Sequence, residues 1–462
     1  MSLHSSETIA AIATPIGIGG ISVIRISGPE SFSAVDSLFR GSAKLSRTSS
    51  HTIHYGLIVD PVSRETVDNV LVSVFHNPSS YTGEDVVEIS SHGGYFVAQK
   101  ILKLILKLGI RLADPGEFTL RAFLNAKLDL VQAEAVADLI HSKTEKAHKA
   151  SVDQLSGKLS AVIQQLRSSI VNLSSLLELE LDFSQEGIEL TEKKAANEKL
   201  YNIESTINQI LKSYEEGKVI KEGIRVVLVG RPNVGKSSLM NVLLQEERSI
   251  VSEMPGTTRD TIEETILLDG VEFIFNDTAG LRDSLDKIEQ EGIRRTNKAI
   301  EDSDVIILLL DGSLDLTDSE TTVYSQISEQ YAGSKSLLWV MNKSDIKINK
   351  SDAKSLIPNP IWISCKSHDG IIHLKERLIG AAIPQHDSSV SSVIITNGRH
   401  KDALEKALSS IKSARVSIEN GLSGEFAALD LRAALNYLGE VIGLTTPDDI
   451  LNNIFSNFCI GK

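Results

Sequence analysis

The segment Gly230-Arg-Pro-Asn-Val-Gly-Lys-Ser237 decides the fold of the middle of this chain, and it directly follows the apolar run Ile224–Val229. The run has the length and composition of a buried strand, and a helical pattern follows the glycines. A G-x-x-x-x-G-K-S sequence in this position is typical of a phosphate-binding loop, whose backbone N–H groups surround phosphates. We expect Lys236 to reach the β and γ oxygens and the Ser237 hydroxyl to bind Mg²⁺.

Further apolar runs follow the phosphate-binding loop, and most are separated by helical patterns. These strand candidates are Val271–Phe275, Val305–Leu310, Leu337–Met341 and Ile361–Ser364. Strands that alternate with helices predict a parallel sheet covered by helices.

Four polar motifs in this region predict which nucleotide is bound. Asp345 of Asn342-Lys-Ser-Asp345 can accept hydrogen bonds from guanine N1 and N2 together, an arrangement of donors that adenine lacks. Ser364-Cys-Lys366 can offer backbone N–H groups to guanine O6. Asp277-Thr-Ala-Gly280 can hold the Mg²⁺ water shell and contact the γ-phosphate, and Gly256-Thr-Thr-Arg-Asp260 supplies Thr258 as a second Mg²⁺ ligand. The order and spacing of these motifs predict that the bound nucleotide is GTP.

The residue that orients the attacking water is less evident. Leu281 stands where Ras-type enzymes carry a glutamine, and its side chain cannot orient water. A carboxylate of the following loop or a partner protein could do so; the acidic residues of that loop are Asp283, Asp286, Glu289 and Glu291. A monovalent cation beside the phosphates could supply missing positive charge, with the Asn233 amide oxygen as a ligand.

Helical sequence flanks this central region on both sides. Proline, which breaks helix interiors, is absent from 116–231 and from 385–446. Apolar residues recur at helical spacing within 128–140, 162–177 and 426–438. The pattern predicts helical layers on either side of an inserted domain.

The first ~120 residues have a mixed pattern. Short apolar or β-branched runs at Ile21–Ile26, Val70–Phe75 and Val86–Ile89 are typical of strands, whereas 30–40 and 95–108 have helical patterns. These segments predict an α+β domain.

Bulk properties limit the class of protein. A chain of 462 residues exceeds one ordinary core, so two or three domains are expected. No apolar run approaches the ~18 residues of a membrane span, and the N-terminus lacks a signal-peptide pattern. The two cysteines, Cys365 and Cys459, are too few for a disulfide framework, which favours the cytoplasm. A net charge of −14 means that any RNA contact needs a local basic patch or a partner.

Several motifs outside the central region carry a resemblance that covers the whole chain. They are Ala13-Thr-Pro-x-Gly-x-Gly-Gly20, Ile24-Arg-Ile-Ser-Gly28, Tyr81-Thr-Gly-Glu-Asp85, Ser91-His-Gly-Gly94, Gly116-Glu-Phe-Thr-Leu-Arg-Ala-Phe-Leu-Asn125 and Phe458-Cys-Ile-Gly-Lys462. Together with the GTP motifs, they resemble the MnmE (TrmE) family of tRNA-modification GTPases. The resemblance implies a multidomain α/β and α architecture. Its parts would be an N-terminal α+β domain (1–125), a discontinuous helical domain (126–220 and 384–462) and an inserted Ras-like G domain (221–383).

The resemblance also implies a function and its partners. Family members work with the FAD-containing protein MnmG (GidA) and install an aminomethyl or carboxymethylaminomethyl group on C5 of the wobble uridine in certain tRNAs. The N-terminal domain would bind a 5-substituted tetrahydrofolate derivative and form a homodimer. K⁺ would stimulate GTP hydrolysis, and Mg²⁺ would accompany the nucleotide.

Residue roles carried over from the family extend the predicted site. Lys236 and Glu289 would be catalytic, with Glu289 orienting the water. Asn233, Ser252, Met254 and Thr257 would bind K⁺, and Ser237 and Thr258 would bind Mg²⁺. The folate would contact Arg25, Glu88, Lys127 and Lys462, and Cys459 belongs to the terminal motif. The full predicted GTP-binding set is Asn233, Val234, Gly235, Lys236, Ser237, Ser238, Ser252, Glu253, Met254, Pro255, Gly256, Thr257, Thr258, Asp277, Thr278, Ala279, Gly280, Asn342, Lys343, Asp345, Ser364, Cys365 and Lys366.

Two other functions fit the same motifs. A GTP-driven switch, such as a ribosome-assembly factor, would use hydrolysis only to time its binding to RNA. Such factors normally carry a basic RNA-binding module, which the net charge of −14 disfavours. A folate-binding scaffold with a vestigial G domain is disfavoured by the intact Lys236, Ser237, Thr258 and Asp345.

Overall fold

The computed structural model describes residues 7–15, 17–182, 193–246, 263–276, 298–331, 333–346, 357–382 and 393–462. The chain divides into two compact units. One unit contains the described parts of Met1–His141, Ser151–Glu204 and Asp402–Lys462, and the other contains those of Ser142–Ala150 and Ser205–Lys401. The predicted domain boundaries remain predictions.

The N-terminal part of the first unit is built on a seven-stranded sheet. Its strands are β1 (Ile9–Ile12), β2 (Ile21–Ser27), β3 (Phe39–Gly41), β4 (Thr52–Val59), β5 (Thr66–Phe75), β6 (Val86–His92) and β7 (Arg111–Leu112). Their spatial order is β3-β4-β5-β6-β2-β1-β7, antiparallel except for β1 with β7. This confirms the predicted strands at β2, β5 and β6; β1, β3, β4 and β7 were not predicted.

Helices cover one face of this sheet. They are α1 (Ser31–Leu38) and α2 (Tyr95–Leu106), which confirm the helical patterns at 30–40 and 95–108. Val72, Val74 and Ile89 alternate onto that face and pack with Ile101 and Ile105 in a fully buried core. We call the opposite side, which carries Arg25 and Glu88, the open face. The helix α3 (Glu117–Leu124) follows β7.

The chain then becomes helical, as the proline distribution predicts. The helices are α4 (Leu130–His141), α5 (Glu145–Leu155), α6 (Lys158–Asp182), α7 (Lys193–Lys212) and α8 (Tyr214–Glu222). Gly217 of α8 lies so close to the Ile395 carbonyl, within the second unit, that a Cβ there would collide with it.

The second unit contains a six-stranded sheet in the order β13-β12-β11-β8-β10-β9. The strands are β8 (Ile224–Val229), β9 (Glu263–Leu268), β10 (Val271–Asn276), β11 (Val305–Asp311), β12 (Ser336–Asn342) and β13 (Ile361–Trp362). The helices α9 (Lys236–Glu246), α10 (Asp318–Tyr331) and α11 (Ile371–Ala382) accompany them. Buried side chains form a core on each face of the sheet, which confirms the predicted α/β domain.

Two details of this sheet differ from the prediction. The sheet is not wholly parallel, because β9 pairs antiparallel with β10 across a turn at Asp269-Gly270. Both turn residues have positive φ, 49° and 74°, as a tight hairpin requires, and the Asp-Gly pair is the sequence signal for it. The strand expected at 361–364 is shorter, because Ser364 N donates to the Asp369 carbonyl in a turn.

Three helices complete the chain: α12 (Gly398–Glu419), α13 (Gly424–Ile442) and α14 (Asp448–Ser456). Within the first unit α13 packs along α6, and Arg432 Nη2 lies 2.7 Å from Glu178 Oε1. The helical patterns at 128–140, 162–177 and 426–438 are thus confirmed as α4, α6 and α13.

Candidate functional site

The phosphate-binding loop joins β8 to the N-terminus of α9, as predicted. Gly230 lies against the Leu309 carbonyl, where a Cβ would collide, and Gly235 has a φ of 104°. Asn233 has a φ of 66°, a left-handed conformation that asparagine tolerates better than most residues. Ser237 and Ser238 lie in the first turn of α9, where free backbone N–H groups and the helix dipole favour an anion.

The Lys236 ammonium group folds across the loop. Its Nζ donates to the carbonyl oxygens of Gly230 and Arg231 at 2.5 and 3.1 Å. These carbonyls hold the positive charge of Lys236 over the phosphate-binding loop. A positive charge beside the backbone N–H groups of such a loop is the arrangement that binds phosphate oxygens.

Asn342, at the end of β12, connects the loop to the nucleotide-selective motifs. It is 3% exposed, and its Nδ2 donates to the Val234 carbonyl at 2.8 Å. Its Oδ1 accepts from the backbone N–H groups of Lys343 and Cys365 at 2.8 and 3.2 Å. A Cβ on Gly235 would collide with Nδ2. One buried amide therefore holds three predicted binding segments together.

Asp345 is positioned by the next motif along the sheet. Its Oδ1 accepts a hydrogen bond from Ser364 Oγ at 2.8 Å, and Ser364 is fully buried. Ser364 Oγ also accepts from Lys366 N at 3.3 Å, which shapes the turn. Each carboxylate oxygen has two lone pairs, so the Asp345 carboxylate, held in place by Ser364, can still accept from two adjacent N–H donors such as those of guanine.

Lys343 and Cys365 have structural partners at this site. The Lys343 Nζ lies 2.7 Å from Asp311 Oδ2. Burial opposes ionisation of Asp311, but hydrogen bonds from Lys343 and Ser313 keep its pKa below the ordinary value. Burial raises the pKa of the Cys365 thiol to about 11, so the thiol stays protonated at neutral pH. This agrees with a structural rather than a reactive Cys365.

Other predicted nucleotide-site residues lie outside the described residues. They are Ser252, Glu253, Met254, Pro255, Gly256, Thr257, Thr258, Asp277, Thr278, Ala279, Gly280 and Glu289. Their roles remain predictions.

A second cluster lies on the open face of the N-terminal sheet. Arg25 of β2 pairs with Glu88 of β6 in the strand register, and Nε lies 2.8 Å from Glu88 Oε1. The guanidinium carbon lies 5.3 Å from the Tyr81 ring centroid and 5.6 Å from that of Phe118. Two aromatic rings and one carboxylate therefore fix the Arg25 fork.

The C-terminal peptide reaches this cluster. Arg25 Nη1 donates to the Gly461 carbonyl at 3.3 Å, and Gly116 N donates to the Cys459 carbonyl at 3.4 Å. Gly461 has a φ of 97°, and a Cβ there would meet the Ile12 carbonyl. The terminal motif needs glycine at this position for both reasons.

Lys462 shares the environment of Arg25 and Glu88. Burial is the main cause of its lowered pKa, and the Arg25 charge acts in the same direction, whereas Glu88 and Cys459 oppose the shift. A bound anion would therefore stabilise the charged form of the Lys462 ammonium group. Cys459 itself is exposed.

Among the described residues, no hydrogen bond or ion pair joins Lys127 to Arg25, Glu88 or Lys462, so its predicted folate contact remains a prediction. Its Nζ donates to the Pro78 carbonyl at 3.1 Å. A Cβ on Gly83 would lie 3.3 Å from Lys127 Cγ, so the aliphatic stem lies along the loop that carries Tyr81.

An ion network that sequence reasoning missed supports this loop. Arg121 is 4% exposed and bridges Glu84 and Glu117 at 3.0 Å each. Glu84 also accepts from Ser27 Oγ at 2.7 Å, and Arg111 is a second partner of Glu117. Burial opposes ionisation of Glu117, but these arginines keep its pKa below the ordinary value. The signal was present, since Glu84 and Arg121 lie in two of the quoted motifs.

Two sequence profiles match adjoining parts of the chain and together cover nearly all of it. A profile described as the GTP-binding protein TrmE N-terminus matches residues 8–127, and one described as the MnmE helical domain matches residues 130–459. The chain belongs to the MnmE family of tRNA modification GTPases. The resemblance drawn from the motifs is therefore confirmed.

Full-length relatives support the same assignment. Proteins named tRNA modification GTPase MnmE from Carboxydothermus hydrogenoformans and Syntrophus aciditrophicus are each 44% identical, over 99% of this chain and 99% of theirs. The protein of that name from Flavobacterium johnsoniae is 44% identical over 99% of this chain and 100% of its own.

Solved structures add little to the assignment. A crystal structure of Aquifex aeolicus Era bound to GDP·AlF4⁻ is 22% identical and covers 40% of this chain and 66% of that chain, with a TM-score of 0.28. A likeness at this score carries no argument about function. Among the described residues, no helix is both long and apolar enough to cross a bilayer.

Proposed function

We propose that this MnmE-family GTPase hydrolyses GTP with stimulation by K⁺ and modifies tRNA together with an FAD-dependent MnmG-like protein. The product would be an aminomethyl or carboxymethylaminomethyl group on C5 of the wobble uridine in certain tRNAs. The one-carbon unit would come from a 5-substituted tetrahydrofolate, and the cytoplasm is the expected compartment. Membership of the family already establishes the general activity, that of a tRNA modification GTPase, and the proposal adds the cofactors, the partner and the product.

The proposal that the chain binds GTP rests mainly on the hydrogen bonds of Asn342. A single buried side chain bonds the phosphate-binding loop at Val234 and the base-binding segment at Cys365. The Lys236 ammonium and the N-terminus of α9 supply positive charge for phosphates, and Asp345 supplies the acceptor for guanine. This set of groups fits a guanine nucleotide.

Mg²⁺ and K⁺ would occupy oxygen-lined positions beside the phosphates. The Ser237 hydroxyl, in the first turn of α9, fits the hard oxygen ligand that Mg²⁺ requires, with Thr258 as its proposed companion. Asn233 is the described member of the proposed K⁺ set. When bound, the two cations neutralise charge that develops on the phosphates.

The folate half rests on the cluster around Arg25. A reduced folate carries pterin N–H groups that suit Glu88, and the adjacent pterin carbonyl suits the neighbouring basic groups of Arg25 and Lys462. The Arg25–Glu88 pair is already hydrogen-bonded and framed by Tyr81 and Phe118, so little ordering is needed on binding. Lys127 borders the same loop and would contact the ligand from its edge.

The homodimer would use the open face of the N-terminal sheet. Side chains of Ile53, Tyr55 and Leu71 are 67%, 68% and 46% exposed on neighbouring strands, and Ile21 is 65% exposed nearby. Exposed apolar side chains grouped in this way are typical of protein interfaces. Tyr55→Asp should convert a dimer into a monomer in light scattering; a dimer that persists would refute this surface.

Nucleoside mass spectrometry tests the whole proposal. tRNA from a strain without this protein should lack the modified wobble uridine, and the intact gene should restore it. Unchanged tRNA would refute the proposal, and ribosome co-sedimentation that depends on GTP would then favour an assembly switch.

Two measurements test the hydrolytic step separately. Hydrolysis should be faster in K⁺ than in Na⁺, and equal rates would remove the cation site at Asn233. Glu289→Ala should keep GTP binding and lose most hydrolysis; a surviving rate would assign the water to another carboxylate or to a partner.

A further inference from the structure

The helix α2 carries an exposed basic stripe that the proposed function does not use. Its buried side, which includes Ile101 and Ile105, packs on the N-terminal sheet. The outer side presents one aromatic and three basic residues, here called the α2 stripe: Phe96, Lys100, Lys103 and Lys107. Their spacing of i, i+4, i+7 and i+11 places them on one helical face, over a length of about 16 Å.

The surroundings of the stripe contain few negative charges. No aspartate or glutamate occurs from Ile89 to Ala113, although 61 of the 462 residues of the chain are acidic. The helix α7 shows a more ordinary pattern, because Glu198 and Glu204 occur among its lysines. A solvated helix face normally mixes both signs of charge, whereas a face that binds a polyanion carries positive charge alone.

The positive charges of the stripe are not neutralised by ion pairs. Lys103 and Lys107 are exposed and Lys100 is half-buried, and within the described ranges no carboxylate pairs with any of them. Asp60 lies near enough to interact with the charges of Lys107 and Lys100, but its Oδ1 accepts hydrogen bonds from the backbone of its own loop at 2.8 and 3.3 Å. The three ammonium groups are therefore available to phosphate oxygens.

An exposed aromatic ring begins the stripe. Phe96 is 76% exposed, more than any other phenylalanine that the structure describes, and the adjacent Tyr95 is 51% exposed. A solvated helix face gains nothing from an exposed phenylalanine, whereas such rings stack on unpaired bases. Lysines in line with an exposed ring are the combination that binds the backbone and the bases of a single-stranded nucleic acid.

The aromatic end of the stripe lies next to the end of β6, the strand that carries Glu88. Only residues 93–95 separate the last residue of β6, His92, from Phe96. The proposed dimer uses the open face of the sheet, so the outer side of α2 stays accessible. RNA whose backbone follows the lysines would therefore have its unpaired bases at the sheet edge where β6 ends.

We infer that the α2 stripe is a docking surface for the tRNA substrate; this inference rests on the proposed function. The three ammonium groups contact phosphates, and Phe96 stacks on an unpaired base. The stripe supplies the local basic patch that a chain with a net charge of −14 needs to bind RNA. Phosphate contacts carry no sequence information, so the stripe provides affinity and orientation rather than the choice of tRNA.

The test measures tRNA binding to the full-length protein by fluorescence anisotropy, at salt concentrations from about 50 to 200 mM. The stripe variant combines Lys100→Gln, Lys103→Gln and Lys107→Gln, because glutamine removes the charge and keeps a good helix propensity. Phe96→Ala tests the ring separately.

A matched control removes the same net charge elsewhere. It combines Lys193→Gln, Lys194→Gln and Lys199→Gln, three exposed lysines of α7. GTP hydrolysis and calorimetric binding of 5-formyltetrahydrofolate, which should be unchanged in all variants, verify that each one is folded. Wobble-uridine modification with the partner protein is measured in parallel.

The stripe variant should bind tRNA about 100-fold more weakly at about 0.1 M salt, and the slope of log K against log[salt] should become less steep by about 2–3. Phe96→Ala should weaken binding about 5- to 100-fold and leave the slope unchanged, because stacking releases no counterions. The control should match the wild type in affinity and slope.

Three outcomes would overturn the inference. They are wild-type affinity and slope in the stripe variant, an equal loss in the control, and loss of partner-protein binding with unchanged tRNA affinity, which would assign the stripe to a protein interface. Wild-type protein that binds no tRNA but supports modification with its partner would refute this inference alone. Wild-type protein that supports no modification would refute the proposed function.

Discussion

Replacing Arg25 by lysine should loosen the C-terminal peptide without unfolding the chain. Arginine uses Nε for Glu88 and Nη1 for the Gly461 carbonyl, and its guanidinium carbon lies 5.3 and 5.6 Å from the centroids of two rings. Lysine keeps the positive charge but cannot reproduce this fork. The ion pair with Glu88 and a contact with a ring can survive, whereas the bond to the Gly461 carbonyl cannot.

The magnitude follows from this lost contact. The hydrogen bond from Arg25 to the Gly461 carbonyl is long, 3.3 Å, so we expect it to contribute about 0.5–1 kcal/mol to the free energy that keeps the peptide docked. The contacts of Arg25 with Tyr81 and Phe118 do not count toward docking, because both rings lie outside the peptide and meet Arg25 whether or not the peptide is docked. A loss of about 0.5–1 kcal/mol corresponds to about two- to fivefold in the equilibrium between docked and undocked peptide.

Hydrogen exchange measures this equilibrium directly. Mass spectrometry of the peptide that covers 456–462 should show exchange about two- to fivefold faster in Arg25→Lys, with GTP hydrolysis unchanged. Lys127→Ala is the control, because Lys127 bonds only the Pro78 carbonyl among these groups. Equal exchange in wild type and Arg25→Lys, or equal acceleration in the control, would refute the docking role of Arg25.

Three further variants test other parts of the structure. Gly235→Ala places a Cβ at a φ of 104° and against Asn342 Nδ2, so nucleotide affinity should fall at least 100-fold, measured by fluorescence titration; an unchanged affinity would contradict the close approach. Asp345→Asn turns an acceptor towards guanine into a donor, so GTP binding should weaken about 100-fold while xanthosine triphosphate binding improves; parallel losses for both nucleotides would argue against base contact. Glu117→Gln should destabilise the first unit by about 2 kcal/mol at pH 7. Because Arg111 and other donors lower the Glu117 pKa in the folded chain, its contribution is present above the ordinary carboxyl pKa and is lost as pH falls below about 4. Denaturant curves for both proteins should converge in acid; a constant difference would contradict this linkage.

The position of the phosphate-binding loop between a strand and a helix was predictable from sequence, because its parts are local. A phosphate-binding loop is eight consecutive residues between a strand and a helix, and Asp345 follows a strand whose apolar run is plain. The hydrogen bond from Asn342 to Val234, 108 residues away, was not predictable. Only the register of β8, β11 and β12 brings the two segments to one end of the sheet.

The N-terminal sheet was harder to predict, because its antiparallel pairs join strands distant in sequence. β1 is only four residues long and almost fully buried, so it offers no alternation to detect. Its neighbours in the sheet are β2 and the two-residue β7, which begins at Arg111. Short buried strands of this kind are defined by their partners rather than by their own pattern.

The cluster around Arg25 shows most clearly what local patterns omit. Arg25 and Gly461 are 436 residues apart, yet the hydrogen bond between them depends on the register of β2 with β6 and on the position of Gly116 at the start of α3. Glycine is required at 461 because a Cβ there would collide with the Ile12 carbonyl, and at 116 because a Cβ there would collide with the Phe455 carbonyl. Neither contact can be recognised from the local sequence. Closing so long a loop costs chain entropy that one hydrogen bond of 3.3 Å cannot offset. The apolar contacts of Phe455 and Phe458, both buried, must therefore hold the terminal segment in place, while Arg25 sets only the position of its last residues.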